Sequence, residues 1–143
     1  MSDGGRLDGV RIVVTGASRG LGRALAEAFA AEGARLVLTA TRVGHLDAVC
    51  ARLRSGGTEV HALALELGDP DAARRAGFDA IAALGRVDVL VNNAGVLGER
   101  RPLADYPIDA WERVLAVNVT GVLALTQAIL PGMADGGAVV NVT

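Results

Sequence analysis

A chain of 143 residues supplies one domain and one core, and its 51% apolar against 21% charged residues exclude a disordered polymer. Its 14 basic and 16 acidic residues leave a net charge of -2, which does not favour a nucleic-acid binder with its concentrated basic face. All of the basic residues are arginine, and the absence of lysine bears on catalysis below.

Cys50 is the single cysteine, so neither an intrachain disulfide nor a cysteine-built metal cluster can form. His45 and His61, without clustered carboxylates, fall short of a metal ligand set, and no metal is expected. The opening MSDGGRLDG lacks the basic and apolar blocks of a signal peptide, and no apolar run approaches membrane-spanning length. The expectation is a soluble, cytoplasmic protein with no nucleic-acid or membrane partner.

In chain order, VRIVVT (10–15) reads as the first strand. A helix follows with Leu21, Leu25, Ala28 and Phe29 on one side and Arg23 and Glu27 as an exposed i, i+4 pair. The second strand is RLVLTA (35–40), then a helix over about 43–54 with Leu46, Val49, Cys50 and Leu53 at helical spacing, which makes Cys50 a buried core thiol. The third strand is EVHALAL (59–65), and Asp69-Pro70 starts the third helix as an N-cap followed by proline at the first helical position. VDVLVN (87–92) is the fourth strand. The fourth helix runs from Asp109 to about Leu130, carries Val114, Leu115, Val122, Leu125 and Ile129, and ends at Pro131-Gly132; AVVNV (138–142) closes the series.

The strands show little polar alternation, the pattern of strands buried on both faces. Strict alternation of strand and helix implies right-handed crossovers and a doubly wound α/β fold with a parallel sheet. In such a sheet a ligand lies beyond the carboxyl ends of the strands.

TGASRGLG (15–22) falls at the first strand-to-helix turn. Glycines there allow a tight turn and let backbone amides approach a pyrophosphate at the positive end of a helix. Gly16, Gly20 and Gly22 are spaced G-x-x-x-G-x-G, and a tight loop without ligand is the competing reading. NNAG (92–95) ends the fourth strand, where asparagines also serve simply as turn caps. Asn118 interrupts the apolar face of the fourth helix. A buried amide there costs about 1–3 kcal/mol if unpaired, so it needs either a backbone partner or a task.

Together, TGASRGLG, NNAG and WERVLAVNVTG around Asn118 resemble the classical short-chain dehydrogenase/reductase family, from about residue 7 to the end. The resemblance implies an oxidoreductase with a Rossmann-like sheet that uses a nicotinamide dinucleotide to move a hydride between carbinol and carbonyl carbons of a small molecule. It places Gly16, Ser18, Arg19, Gly20, Leu21 and Gly22 at the phosphates and adenosine ribose, and Asn92, Ala94 and Gly95 along the cofactor beside the fourth strand. Glu66-Leu67 stands where the family usually has Asp followed by an apolar residue against adenine. An NAD-specific member would carry an acid at the end of the second strand to bind the ribose 2′-hydroxyl. This chain has Ala40 there, with Arg19 and Arg42 able to meet a 2′-phosphate, which favours NADP over NAD.

The family's catalytic set is Ser, Tyr, Lys and Asn, with the tyrosine and lysine spaced Y-x-x-x-K. Only the asparagine, Asn118, is matched. The sole tyrosine, Tyr106, precedes Asn118 and is followed by PIDA, and Thr143 falls one position short of the family's serine. The chain is therefore read as the amino-terminal half of such an enzyme, one dinucleotide-binding domain over 1–143 truncated after its fifth strand and inactive alone. The alternative is a stand-alone, non-catalytic dinucleotide-binding module or remnant. A bare apolar fifth strand is an aggregation hazard, which favours the first. Family members commonly pair through the helices that follow strands three and four, so a homo-oligomer is expected.

Overall fold

Valine and leucine runs without polar alternation form a five-stranded parallel sheet of order β3-β2-β1-β4-β5 in the computed structural model, which describes residues 4–143. The strands are β1 (Arg11–Val14), β2 (Arg35–Ala40), β3 (Val60–Ala64), β4 (Val87–Asn92) and β5 (Met133–Asn141). Between them run α1 (Gly20–Ala31), α2 (Asp47–Ser55) after a short 3-10 turn, α3 (Pro70–Leu84), α4 (Ile108–Leu115) and α5 (Val122–Ile129). The doubly wound fold expected from the alternation is the one observed.

Alternate residues of each strand face opposite sides. Ile12 and Val14 join Leu36 and Leu38 under α1 and α2, while Val13 and Val37 join Leu65, Leu90 and Leu125 under α3 and α5. Each fully buried leucine contributes about 1.5–3 kcal/mol. Cys50 lies in the first layer, and burial pushes its thiol up. Asp69 caps α3 as its position predicts, its Oδ1 accepting from the amides of Asp71 (3.0 Å) and Ala72 (3.2 Å).

Several expectations need correction. Leu21 and Ala28 are exposed; α1 packs through Gly22 and Ala26 with Leu25 and Phe29, because its small residues let the helix settle close to the sheet. The fourth helix is not uniform: a wide, π-type turn over Ala116–Gly121 separates α4 from α5. Leu115, at the end of α4, and Asn118, within the turn, are both exposed. The three pieces and a final 3-10 turn nevertheless run on as one helix, Ile108–Gly132, that is long and apolar enough by length and composition to cross a membrane. In this fold Ala124, Leu125, Ala128 and Ile129 seat it against the sheet layer that holds α3. β5 lies at the sheet edge, with Val139 and Val140 exposed on it.

Ion pairs gather at the amino ends of the strands. Arg11 Nε donates to Asp88 Oδ2 at 2.9 Å, as does the Arg11 amide at 2.8 Å, and Arg35 Nε donates to Glu59 Oε2 at 2.6 Å. The Arg11 guanidinium holds the Asp88 carboxyl below the ordinary carboxylate range, and the Arg35 bond, followed by that to His61, lowers Glu59 to about 2. A carboxyl lowered by folding adds stability above its unfolded value, about pH 4, and that stability is lost as pH falls through the folded value. The Glu59 pair is well exposed and screened, whereas Asp88 is 22% exposed, so Asp88 dominates. Asp88→Asn should lower the thermal midpoint at pH 7 and flatten its fall as the pH drops below about 4. Parallel curves for variant and wild type in calorimetric scans would contradict this.

Candidate functional site

The strands' carboxyl ends open into a cleft of about 760 Å³ lined by the glycine turn, the end of β2, the segment after β3, the end of β4 and one face of α4. A single side chain organises its centre. Thr15, 1% exposed and just past β1, accepts at Oγ1 from the amides of Asn93 and Ala94, each at 3.0 Å. In return Asn93 Nδ2 donates to the carbonyls of Thr15 (3.1 Å) and Gly16 (3.2 Å). The two loops after β1 and β4 are thereby bolted together.

The start of α1 faces this cleft. Its N-cap, Arg19, is extended and offers no side-chain cap, unlike Asp69 at α3, so the first-turn amides keep their donors for another acceptor. Gly20 has φ +58 with nothing within 4 Å of where a Cβ would stand, leaving open space before those amides. Gly22 is a packing requirement: a Cβ there would collide with the Gly16 carbonyl.

Of the residues singled out from sequence, Gly16, Ser18, Arg19, Gly20, Glu66, Leu67, Ala94 and Gly95 line the cleft. Leu21, Gly22, Arg42 and Asn92 do not. Leu21 is solvent-facing, Gly22 lies under the turn, and Arg42 stands exposed before the 3-10 turn. Asn92 is buried, its Nδ2 donating to Asn141 Oδ1 (2.9 Å) and Thr126 Oγ1 (3.2 Å), which ties β4 to β5 and α5. Glu66 Oε1 accepts from the Gly68 amide at 2.9 Å, which fixes the carboxylate on the cleft rim. Asn118 was expected to be buried and to need a partner; it is exposed and has one. Its Oδ1 accepts from the Val96 amide and its Nδ2 donates to the Val96 carbonyl, both at 2.8 Å, clamping the end of the NNAG segment.

Sequence reasoning passed over Thr39, Thr41, His45, Asn93, Val96, Arg113 and Val117, which also line the cleft. Strand alternation could have separated Asn92 from Asn93, since neighbours at a strand end face opposite ways. Arg113 and Val117 lie four residues apart on one helical face, but nothing in the sequence aims that face at the strand ends.

The sequence profile of short chain dehydrogenases matches residues 11–143. The chain belongs to the short-chain dehydrogenase family. Among its relatives is a short chain dehydrogenase of Pseudocercospora fijiensis, 38% identical over 143 residues, covering 97% of this chain and 46% of the relative. A short chain dehydrogenase from Burkholderia cenocepacia in complex with NADP superposes with a TM-score of 0.89 at 36% identity, covering 95% of this chain and 56% of that one. A family member from Burkholderia phymatum in complex with NAD superposes at 0.86 with 34% identity, covering 94% and 49%. This short-chain dehydrogenase chain spans about half the length of the curated relatives it matches.

The Thr15 joint yields a direct test. Thr15→Val removes the acceptor of two amides and should cost about 2 kcal/mol or more, while Thr15→Ser, which keeps the oxygen, should cost under about 1 kcal/mol. Equal urea midpoints for the two variants would show that the joint carries little stability.

Proposed function

We propose that this chain is the cofactor-binding part of an NAD(P)-dependent oxidoreductase acting on a carbonyl or alcohol. The observation that carries the reading is the uncapped start of α1, with open space at Gly20, at the head of a cleft joining the ends of β1, β2, β3 and β4. Gly16, Ser18, Arg19 and Gly20 would hold the pyrophosphate and ribose, Leu67, Ala94 and Gly95 the adenine side, and Glu66 has one carboxylate oxygen left for the base. When bound, the cofactor supplies hydride exchange with the substrate carbon.

Solved relatives are complexes with NADP or NADPH more often than with NAD, and this chain's own residues point the same way. β2 ends in Ala40, followed by Thr41, with no acid to repel a 2′-phosphate, and Arg19 lines the same cleft. That supports NADP, with exposed Arg42 as the second cation next to the cleft.

For catalysis we assign Asn118. One N–H and one lone pair remain on its amide beyond the Val96 clamp, enough to hold a relay water. Protonating the substrate oxygen needs an acid as well, and positioned acid catalysis contributes about 10²–10⁴-fold. Tyr106, whose hydroxyl accepts from the Glu99 amide at 3.1 Å, does not line the cleft, and lysine is absent. On this reading the 143 residues alone do not complete the family's catalytic set and turn over no substrate. The competing reading, a non-catalytic dinucleotide-binding module, shares this cleft. A homo-oligomer fits the outward stripe of Trp111, Leu115, Val119 and Leu123 on α4–α5, all exposed; a strictly monomeric chain in sedimentation at high concentration would count against it.

Calorimetric titration should show tighter binding of NADP than NAD, loss of that preference in Arg19→Ala with Arg42→Ala, and no binding by Gly20→Val with unchanged far-ultraviolet circular dichroism. Equal affinities, or binding retained by Gly20→Val, would overturn the assignment. Steady NADPH oxidation by this chain with a ketone panel would overturn the account of catalysis.

A further inference from the structure

Thr39 sits on β2 two residues after Val37 and pairs in register with Leu63, which places its side chain on the sheet face that carries α3. It is 2% exposed, and it also lines the cleft, among Leu65, Leu67, Ala94 and Val117. Its carbonyl accepts from the Ala17 amide at 2.9 Å, but its hydroxyl has no partner. Among the described residues, two buried side-chain atoms are left unpaired, Thr39 Oγ1 and Asn92 Oδ1, and only Thr39 belongs to the cleft wall.

A buried hydroxyl without a partner costs stability, and native structures rarely keep one without use. The contrast with Thr15 is informative. Thr15, next along the neighbouring strand β1, spends its hydroxyl on two loop amides. The fold gives Thr39 no such duty, while valine would fill the same space without the cost. The cleft lining includes the apolar Leu65, Leu67, Ala94 and Val117, suited to the flat face of a base, and a threonine O–H donates readily to a ring nitrogen or ribose oxygen.

Resting on the dinucleotide reading above, we propose that Thr39 Oγ1 recognises the adenosine end of the cofactor by donating a hydrogen bond to it from the cleft floor. Arg19 selects the extra phosphate at the rim; Thr39 selects and orients the nucleoside beneath it.

Thr39→Val and Thr39→Ser, each titrated with NADP and with 2′,5′-ADP, test this. Thr39→Val should weaken both ligands by about three- to tenfold, the size of one neutral hydrogen bond. Thr39→Ser should stay within about twofold of wild type, and unliganded Thr39→Val should melt no lower than wild type. Wild-type affinity in Thr39→Val, or a loss confined to NADP with 2′,5′-ADP unaffected, would overturn the proposal. A lower melting point of unliganded Thr39→Val would also overturn it, because the hydroxyl would then serve the fold. Failure of the wild-type chain to bind either ligand would instead overturn the dinucleotide reading, a result independent of the variants.

Discussion

The hydrogen bonds between Thr15 and the Asn93–Ala94 segment set the spacing on which the site depends. Parallel strands β1 and β4 are already paired through Val14 and Val91, but their loops leave the sheet with no regular ladder to hold them. One buried hydroxyl accepts two amides, and one amide side chain returns two donors to the glycine turn. Four bonds within a few residues give the cleft a rigid centre, and Asn118 extends the same control outward by gripping both polar groups of the Val96 backbone.

The sheet is polarised around this centre. At the amino ends of the strands, charges are matched within the chain by Arg11–Asp88 and Arg35–Glu59. At the carboxyl ends, capacity is left over: the first turn of α1 has no side-chain cap, Thr39 keeps an unpaired hydroxyl, and Arg19 and Arg113 face the cleft without ion-pair partners among the described residues. Ion pairs are matched at one end and unpaired binding capacity is left at the other, as expected where a site retains polar groups that a purely structural region would satisfy.

Strands and helix order were legible because the valine-rich runs and the Asp69-Pro70 cap are local signals with a local physical cause. The glycine turn was legible for the same reason. What escaped was orientation. Leu21 looked like a core residue by spacing, but Gly22 and Ala26 let α1 approach the sheet on an adjacent face. Asn118 looked buried because a regular helix was assumed, but it lies exposed within the wide turn at Ala116–Gly121, which no residue type announces, and pairs with Val96. Thr39, Asn93 and Arg113 became visible only when five separate segments met at one cleft, a consequence of crossover geometry that no single stretch encodes.

The central claim is that the joint of β1 and β4 presents a nicotinamide dinucleotide to the start of α1. Amide chemical shifts followed by nuclear magnetic resonance during NADP titration test it residue by residue. The account predicts saturable shifts at Gly16–Gly20, Thr39, Leu67 and Ala94–Val96, with the amino-end pair Arg11 and Asp88 unmoved. Shifts that cluster elsewhere, or none at saturating NADP, would contradict it.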